Sequence, residues 1–463
     1  MALEPMLKTS EIRTLATHPE LKSQQSVPFF KTAGEQPKNA LERLLSLFAD
    51  VRAGEGANVI LMTVTVFLLL AAYYLLKVAR ETLVLTEATA VVKVQAAAAQ
   101  AVLLLGVVPL FGWIASHVNR IRLITITSLF FAANLLLFYA LGRAGVREGV
   151  VFYIWLGIFN LFVVSQFWAF ANDFYTEGQG RRLFPMIGVG ASLGAWVGST
   201  SVPPLIEALA VTPYTLMLMG SVLLVIALVV TRMVNSRQRD AGEPETAAIE
   251  AAPLGKEGGF ELVMKDPYLR WIAVFTILLN VVNTTGEFLL SSLVRDASLT
   301  LEASARGPFI GAFYGSFFGW VNLAGFLMQL LLASRLMRVL GVRGSLFIMP
   351  IVALVNYSMI AVVPILAVVR IGKILENSTD YSIQNTVRQA LFLPTTREAK
   401  YKAKSAIDTF CTRVGDVTAA GVATVGTSIG MGIAGFGWVN VAFTICFIYV
   451  AMRIAREHRR KTV

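Results

Sequence analysis

Cysteine is nearly absent from this chain. Cys411 and Cys446 are the only two in 463 residues, and both sit in apolar stretches, so neither a disulfide framework nor a thiolate metal site is expected. Histidine is as scarce: His18, His117 and His458 stand far apart, with no pair at metal-ligand spacing. Charged residues make up only 15% of a composition that is 56% hydrophobic, too few to clothe a soluble surface. No Gly-x4-Gly-Lys-Ser/Thr run occurs, so a P-loop that hydrolyses nucleotides is excluded; Gly188-Val-Gly190 lacks the preceding strand a phosphate loop needs. No enzyme, cofactor or resident metal is inferred. The first fifty residues hold no long apolar core, so no signal peptide is visible.

What the chain does have is long apolar runs. Mean hydropathy is +0.66. Crossing a bilayer takes about 20 apolar residues, and twelve stretches qualify: 58–85, 91–114, 123–142, 150–173, 184–209, 213–234, 268–291, 308–333, 344–362, 364–391, 405–428 and 432–452. The expected fold class is an all-α membrane protein of twelve transmembrane helices embedded in a lipid bilayer. Lysine and arginine in alternate loops number 22 on one side and four on the other, which puts both termini in the cytoplasm of a multi-pass protein. A bacterial inner membrane is the expected location. The net charge of +11 is therefore a topology signal, and no nucleic-acid partner is inferred.

The organisation is read as five parts. Residues 1–52 form a polar segment with an amphipathic run at 41–48, which suits packing on a cytosolic face or lying at the membrane interface. Six spans follow in 53–234, then a polar linker at 235–267, six more spans in 268–452 and a basic tail at 453–463. Ala115-Ser-His-Val-Asn-Arg120 after the second span echoes Ala333-Ser-Arg-Leu-Met-Arg338 after the eighth, as duplication of a six-span half predicts. Two six-helix halves with a basic loop at these places resemble the major-facilitator architecture. A monomer is expected.

Charge inside the spans points to a pathway. Between Pro364 and Leu391, the residues Arg370, Lys373, Asn377, Asp380, Tyr381, Gln384 and Arg388 fall within roughly a 100° arc of one helix, and the rest of its surface is mostly apolar. The first span ends in Lys77, Arg80 and Glu81, where Lys77 and Glu81 have i,i+4 spacing; the bland alternative is that they snorkel to the interface. Lys93 and Gln95 open the second span. Span four carries Asn160, Ser165, Gln166, Asn172 and Asp173 among aromatic residues, a mixture suited to a flat, hydrogen-bonding substrate or to ordinary helix–helix bonds. Span seven adds Asn280, Asn283 and Glu287, whose carboxylate must be protonated or face a cation. Span eleven begins with Lys400, Lys402 and Lys404 and continues to Asp408, Arg413 and Asp416; the lysines either meet a polyanion or merely flank the membrane. Near balance between these cations and the acids Glu81, Glu287, Glu376, Asp380, Asp408 and Asp416 suits pairs that exchange partners when an anion binds. Glycine ladders at 190/194/198 and 311/315/319 read as close helix packing.

Several segments, in order, resemble the nucleotide transporter family, the ATP/ADP antiporters of plastids and intracellular bacteria. They are Arg52-Ala-Gly-Glu55, Arg80-Glu-Thr-Leu-Val-Leu-Thr86 followed by Val91-Val-Lys93, and Phe167-Trp-Ala-Phe-Ala-Asn172 followed by Arg182-Leu-Phe-Pro-Met-Ile-Gly-Val-Gly190. Most specific is Lys400-x-Lys-x-Lys-Ser-Ala-Ile-Asp408. The resemblance implies a substrate lysine at Lys93, eleventh-span lysines at Lys402 and Lys404, and a seventh-span glutamate at Glu287. The chain departs from the family pattern early in span four, where it reads Trp155-Leu-Gly-Ile158 instead of carrying a glutamate.

The function these features imply is exchange of nucleotides by a secondary transporter working through alternating access, with ATP as cargo. Lys77, Arg80, Lys93, Asn172, Asp173, Glu287, Arg370, Lys373, Asn377, Asp380, Tyr381, Arg388, Lys402, Lys404 and Asp408 are the candidate substrate contacts. The alternative on the same fold is a proton-coupled carrier of another organic anion. A membrane scaffold is disfavoured, since it has no use for a polar stripe in its core.

Overall fold

The computed structural model describes residues 38–46, 50–240, 258–396 and 398–462. Most of the polar amino-terminal segment, residues 47–48 of the amphipathic run, residues 241–257 of the linker and Arg397 lie outside them. The chain divides into two units, Met1–Ala57 and Asn58–Val463.

Within the first unit, α1 (Ala40–Leu45) is a single short helix closed by a capping box, with the Asn39 side chain accepting from Glu42 N–H and the Glu42 carboxylate accepting from Asn39 N–H. The other Glu42 oxygen accepts from Gly54 N–H at 2.7 Å, which ties the helix to the turn that follows it.

The second unit is built of helices, with no strand among its described residues. After α2 (Gly56–Glu87) come α3 (Ala90–His117), α4 (Arg120–Arg143), α5 (Gly149–Phe174), α6 (Glu177–Thr200), α7 (Val202–Leu209) and α8 (Pro213–Asp240). Beyond the linker come α9 (Gly259–Lys265), α10 (Pro267–Leu299), α11 (Ala303–Met328), α12 (Ser334–Ser345), α13 (Ile348–Val362), α14 (Leu366–Thr379), α15 (Asn385–Leu391), α16 (Lys404–Ala406), α17 (Thr412–Ser428) and α18 (Ile433–Thr462). In lipid every backbone polar group must be satisfied within the segment, so apolar runs of this length form helices. Local signals set their starts. Thr89 caps α3 by accepting from Val92 N–H, and Asp266 caps α10 with Pro267 at its first position, where a missing N–H costs nothing.

Each of the twelve apolar stretches is helical. Nine helices among the described residues are long and apolar enough to cross a membrane. The other three stretches differ for physical reasons: α13 has 15 residues, the α14–α15 stretch carries five charged residues, and the stretch ending in α17 is broken near its start. Four π turns occur among the described residues, at Gln329–Ala333, Asp380–Gln384, Ala399–Ala403 and Ile407–Cys411. A π turn holds one residue more than an α turn, so it rotates the face presented beyond it.

The two glycine ladders perform different packing tasks. A Cβ on Gly190, Gly194 or Gly198 of α6 would stand 2.3–2.6 Å from atoms of Thr63, Phe67 and Ala71, spaced at the same interval on α2. Gly311, Gly315 and Gly319 of α11 instead let α6 and α7 approach, opposite Ile206, Pro203 and Thr200. Helices before the linker therefore meet helices after it through α6 and α7 on α11, and through α3 on α10 and α17. Near the end of α2, the start of α3 and the ends of α10 and α17, Gln95 donates to Thr424 at 3.1 Å and Arg295 to the Ala88 carbonyl at 2.9 Å.

Candidate substrate site

Four helices bring charge together in the middle of the bundle. Near the end of α2, Glu81 is 1% exposed and forms ion pairs with its neighbour Arg80 and, at 2.6 Å, with Lys93 of α3. Lys93 also donates to Ser291 of α10 at 2.6 Å, and its ammonium lies 5.4 Å from the ring centre of Tyr314 on α11. The Ser291 and Tyr314 hydroxyls are 3.1 Å apart. One lysine from the second span thus touches elements on both sides of the linker. Arg80 also lies over the Tyr153 ring at 4.3 Å. The i,i+4 pair of Lys77 and Glu81 is not made, because Glu81 is already shared between two other cations.

One turn deeper, Glu287 of α10 accepts from Asn377 at 2.9 Å and lies 3.7 Å from the Lys373 ammonium. Of the two expectations for this carboxylate, protonation or a facing cation, the geometry puts a cation beside it. Lys373 is wholly enclosed. It donates to the Asn283 side chain at 2.8 Å and to Glu376, itself unexposed, at 3.0 Å. Tyr357 and Asn356 of α13 also donate to Glu376, at 3.0 and 2.9 Å, so every charge here is matched by a bond. A buried pair survives only with such full satisfaction.

At the start of the eleventh stretch, Asp408 accepts from Arg388 at 2.8 Å and from Lys404 at 2.9 Å. Arg413 pairs with Asp416 at 3.2 Å, and Thr284 donates to the same aspartate. Lys402 lies on the turn against α9, where a Cβ on Gly259 would meet its carbonyl at 2.5 Å. Arg370 donates to Ser316 at 2.7 Å and stacks on Phe313. Asp380 forms no ion pair among the described residues.

Not every candidate joins the cluster. Asn172 and Asp173 are exposed at the carboxyl end of α5, where Asp173 pairs with Arg120. The stripe expected on one helix is split by the π turn at Asp380–Gln384: Tyr381 is 45% exposed, whereas Gln384 is fully buried. Ser291, Tyr314, Asn356 and Tyr357 escaped the sequence reading, since an isolated hydroxyl or amide in an apolar span carries no signal of its own. Glu376 did carry one, the i,i+3 spacing from Lys373.

In the segment where span four departs from the expected glutamate, Trp155 stacks between Phe152 and Phe159 and meets Phe131 and Phe138 edge-on. An aromatic stack occupies this part of α5.

Residues 149–456 match the family model described as TLC ATP/ADP transporter. Among curated proteins, the chain is similar to ADP,ATP carrier protein 1 of Chlamydia trachomatis serovar D, with 22% identity over 360 residues, 66% of each chain. It is also similar to the chloroplastic ADP,ATP carrier protein 1 of Arabidopsis thaliana, with 24% identity over 304 residues, 57% of this chain and 46% of that one. The chain thus spans less than two thirds of the length of these relatives. Among solved structures, the nucleoside transporter NupG superposes with a TM-score of 0.60 at 12% identity, covering 86% of this chain and 98% of that one. A bacterial homologue of the iron transporter ferroportin, in an inward-facing state, gives 0.61 at 13% identity with the same coverage. The fold is that of a major-facilitator-like, multi-pass membrane protein.

Proposed function

This chain belongs to the TLC ATP/ADP transporter family, and from that premise we propose that it exchanges nucleotides across a bacterial inner membrane by alternating access. It does so as two six-helix halves, 53–234 and 268–452, with both termini cytoplasmic. The observation that carries the reading is Lys93. A cation on a helix before the linker, held by Glu81 and bonded to Ser291 beyond the linker, is placed to feel a bound anion and to transmit it between halves. Lys93, Arg370 and Lys404 meet the phosphates, with Lys402 beside them. Lys373, enclosed, acts by holding Glu287, and Glu287 and Asp380 respond as cations exchange partners. With both termini cytoplasmic, helix order puts the Gln95–Thr424 and Arg295–Ala88 bonds on the outer side, which supports a cavity that opens inward. The protein acts as a carrier rather than an enzyme, with the nucleotide as cargo.

Liposomes loaded with unlabelled ATP are the test. Labelled ADP should enter them and should not enter empty liposomes; equal entry into both would refute exchange. One observation favours a second reading, a proton-coupled carrier of another organic anion: the aromatic stack around Trp155 takes the place of the expected glutamate. Uptake of such an anion that collapses with a protonophore and ignores ATP would select it.

A further inference from the structure

The cations embedded in the bundle differ in what already neutralises them. Arg80 and Lys93 share Glu81, Lys373 has Glu376 and Glu287, Arg388 and Lys404 share Asp408, and Arg413 has Asp416. Arg370 has no acid but donates to the Ser316 hydroxyl. Lys77 alone has neither: among the described residues its ammonium makes no hydrogen bond and no ion pair. It rests instead over two rings, 4.1 Å from the centre of Phe318 and 5.1 Å from that of Tyr74. Those rings meet edge to face at 6.1 Å, and they come from opposite sides of the linker, Tyr74 with Lys77 on α2 and Phe318 on α11. Lys77 as a residue is partly exposed.

A charge held at mid-membrane without a counter-ion is costly, and a ring face compensates it less than a carboxylate does. An incoming anion gains most at the cation whose donors are all free, because it need not first displace a carboxylate from it.

We propose that Lys77 is the open anchor for the anionic group of the substrate, a polyphosphate, and that the Phe318–Tyr74 ring pair holds its ammonium in place until the anion arrives. The role is distinct from that of Lys93, which an anion reaches only in competition with Glu81. The proposal rests on the reading of the cargo as a nucleotide, but its test does not need a base. Because Phe318 belongs to the later helices and Lys77 to the earlier ones, an anion that draws Lys77 off the ring also loosens a contact between the two.

The experiment is titration of the purified full-length protein with inorganic tripolyphosphate, read as stabilisation against heat. Wild type should be stabilised. Lys77→Gln should weaken the apparent affinity by about tenfold, the loss expected of one charge-assisted bond, and Lys77→Arg should restore most of it. A second variant removes dependence on how well Lys77→Gln folds. In a Cys411→Ala, Cys446→Ala background, Lys77→Cys is modified after purification, either with an aminoethyl group that returns the cation or with a neutral carbamidomethyl group. Recovery of tripolyphosphate binding by the aminoethyl group alone supports the anchor. Wild-type affinity in Lys77→Gln, equal binding by the two modified forms, or no tripolyphosphate binding by wild type overturns it. Wild type that binds tripolyphosphate through Lys77 but exchanges no nucleotide would refute the proposed cargo and leave the anchor standing.

Discussion

Lys373 and Glu376, one turn apart on α14, form an ion pair at 3.0 Å with neither side chain exposed. The pair lies on the enclosed side of the helix, where Asn283, Tyr357 and Asn356 complete its bonds. The lysine also lies 3.7 Å from Glu287, which is partly exposed.

Removing one member strands the other's charge. Glu376→Leu should destabilise the protein by about 3–5 kcal/mol, while Lys373→Met with Glu376→Leu should recover much of that loss. Thermal unfolding of the single and double variants decides it; a single variant as stable as wild type would show that the buried charge finds another partner.

Glu287 is partly exposed, bonded to a neutral amide and 3.7 Å from the Lys373 ammonium. Glu287→Gln should keep the fold and lower the exchange rate roughly 10-fold or more, the scale of losing one charge-assisted contact. Measured across pH 6 to 8, an unaltered rate and pH profile would remove Glu287 from the working site.

Gly194 faces the Phe67 carbonyl so closely that a Cβ would lie 2.3 Å from it, against a main-chain atom that cannot swing aside. Gly194→Val should therefore separate α2 from α6 and cost at least 1–3 kcal/mol, roughly the penalty of an overpacked core. Gly188→Ala on the same helix has open space at its Cβ and should melt like wild type. Equal melting of the two variants would contradict this packing.

Outside the spans, Glu148 caps the start of α5 with both carboxylate oxygens buried and unbonded among the described residues. Burial, and then the Glu87 carboxylate, push it up to about 7. Glu87 itself accepts from Gly149 N–H, and Tyr214 at the start of α8 is the other titratable group that senses both carboxylates. A folded-state value above the usual one means the folded protein binds the proton more tightly. Its contribution to stability is complete below the ordinary carboxylate range and is lost as pH rises through about 7. Melting temperature should fall between pH 5 and 8, and Glu148→Gln should flatten that slope; an unchanged slope in the variant would assign it to other groups.

The polar stripe shows how far a helical wheel reaches. Arg370, Lys373, Asn377 and Arg388 each engage a group on another element, namely Ser316, Asn283, Glu287 and Asp408. The same wheel places Tyr381 beside Gln384, yet one is 45% exposed and the other buried, because the π turn between Asp380 and Gln384 turns the face by a residue. Asn172 and Asp173 read as pathway residues from their chemistry, but their position at the end of α5 leaves them at its exposed rim.

The amino-acid sequence by itself determined the all-helical membrane class, the places of the apolar stretches, the family and the stock of embedded cations and acids. These are local properties: apolar length, charge inside a span and motif order are written in neighbouring residues. Only the tertiary structure decided which acid meets which cation. Glu81 has Lys77 at helical spacing but pairs with Arg80 and Lys93, which leaves Lys77 on the rings of Phe318 and Tyr74. Such choices depend on how helices far apart in the chain are rotated and crossed, and no single span carries that information.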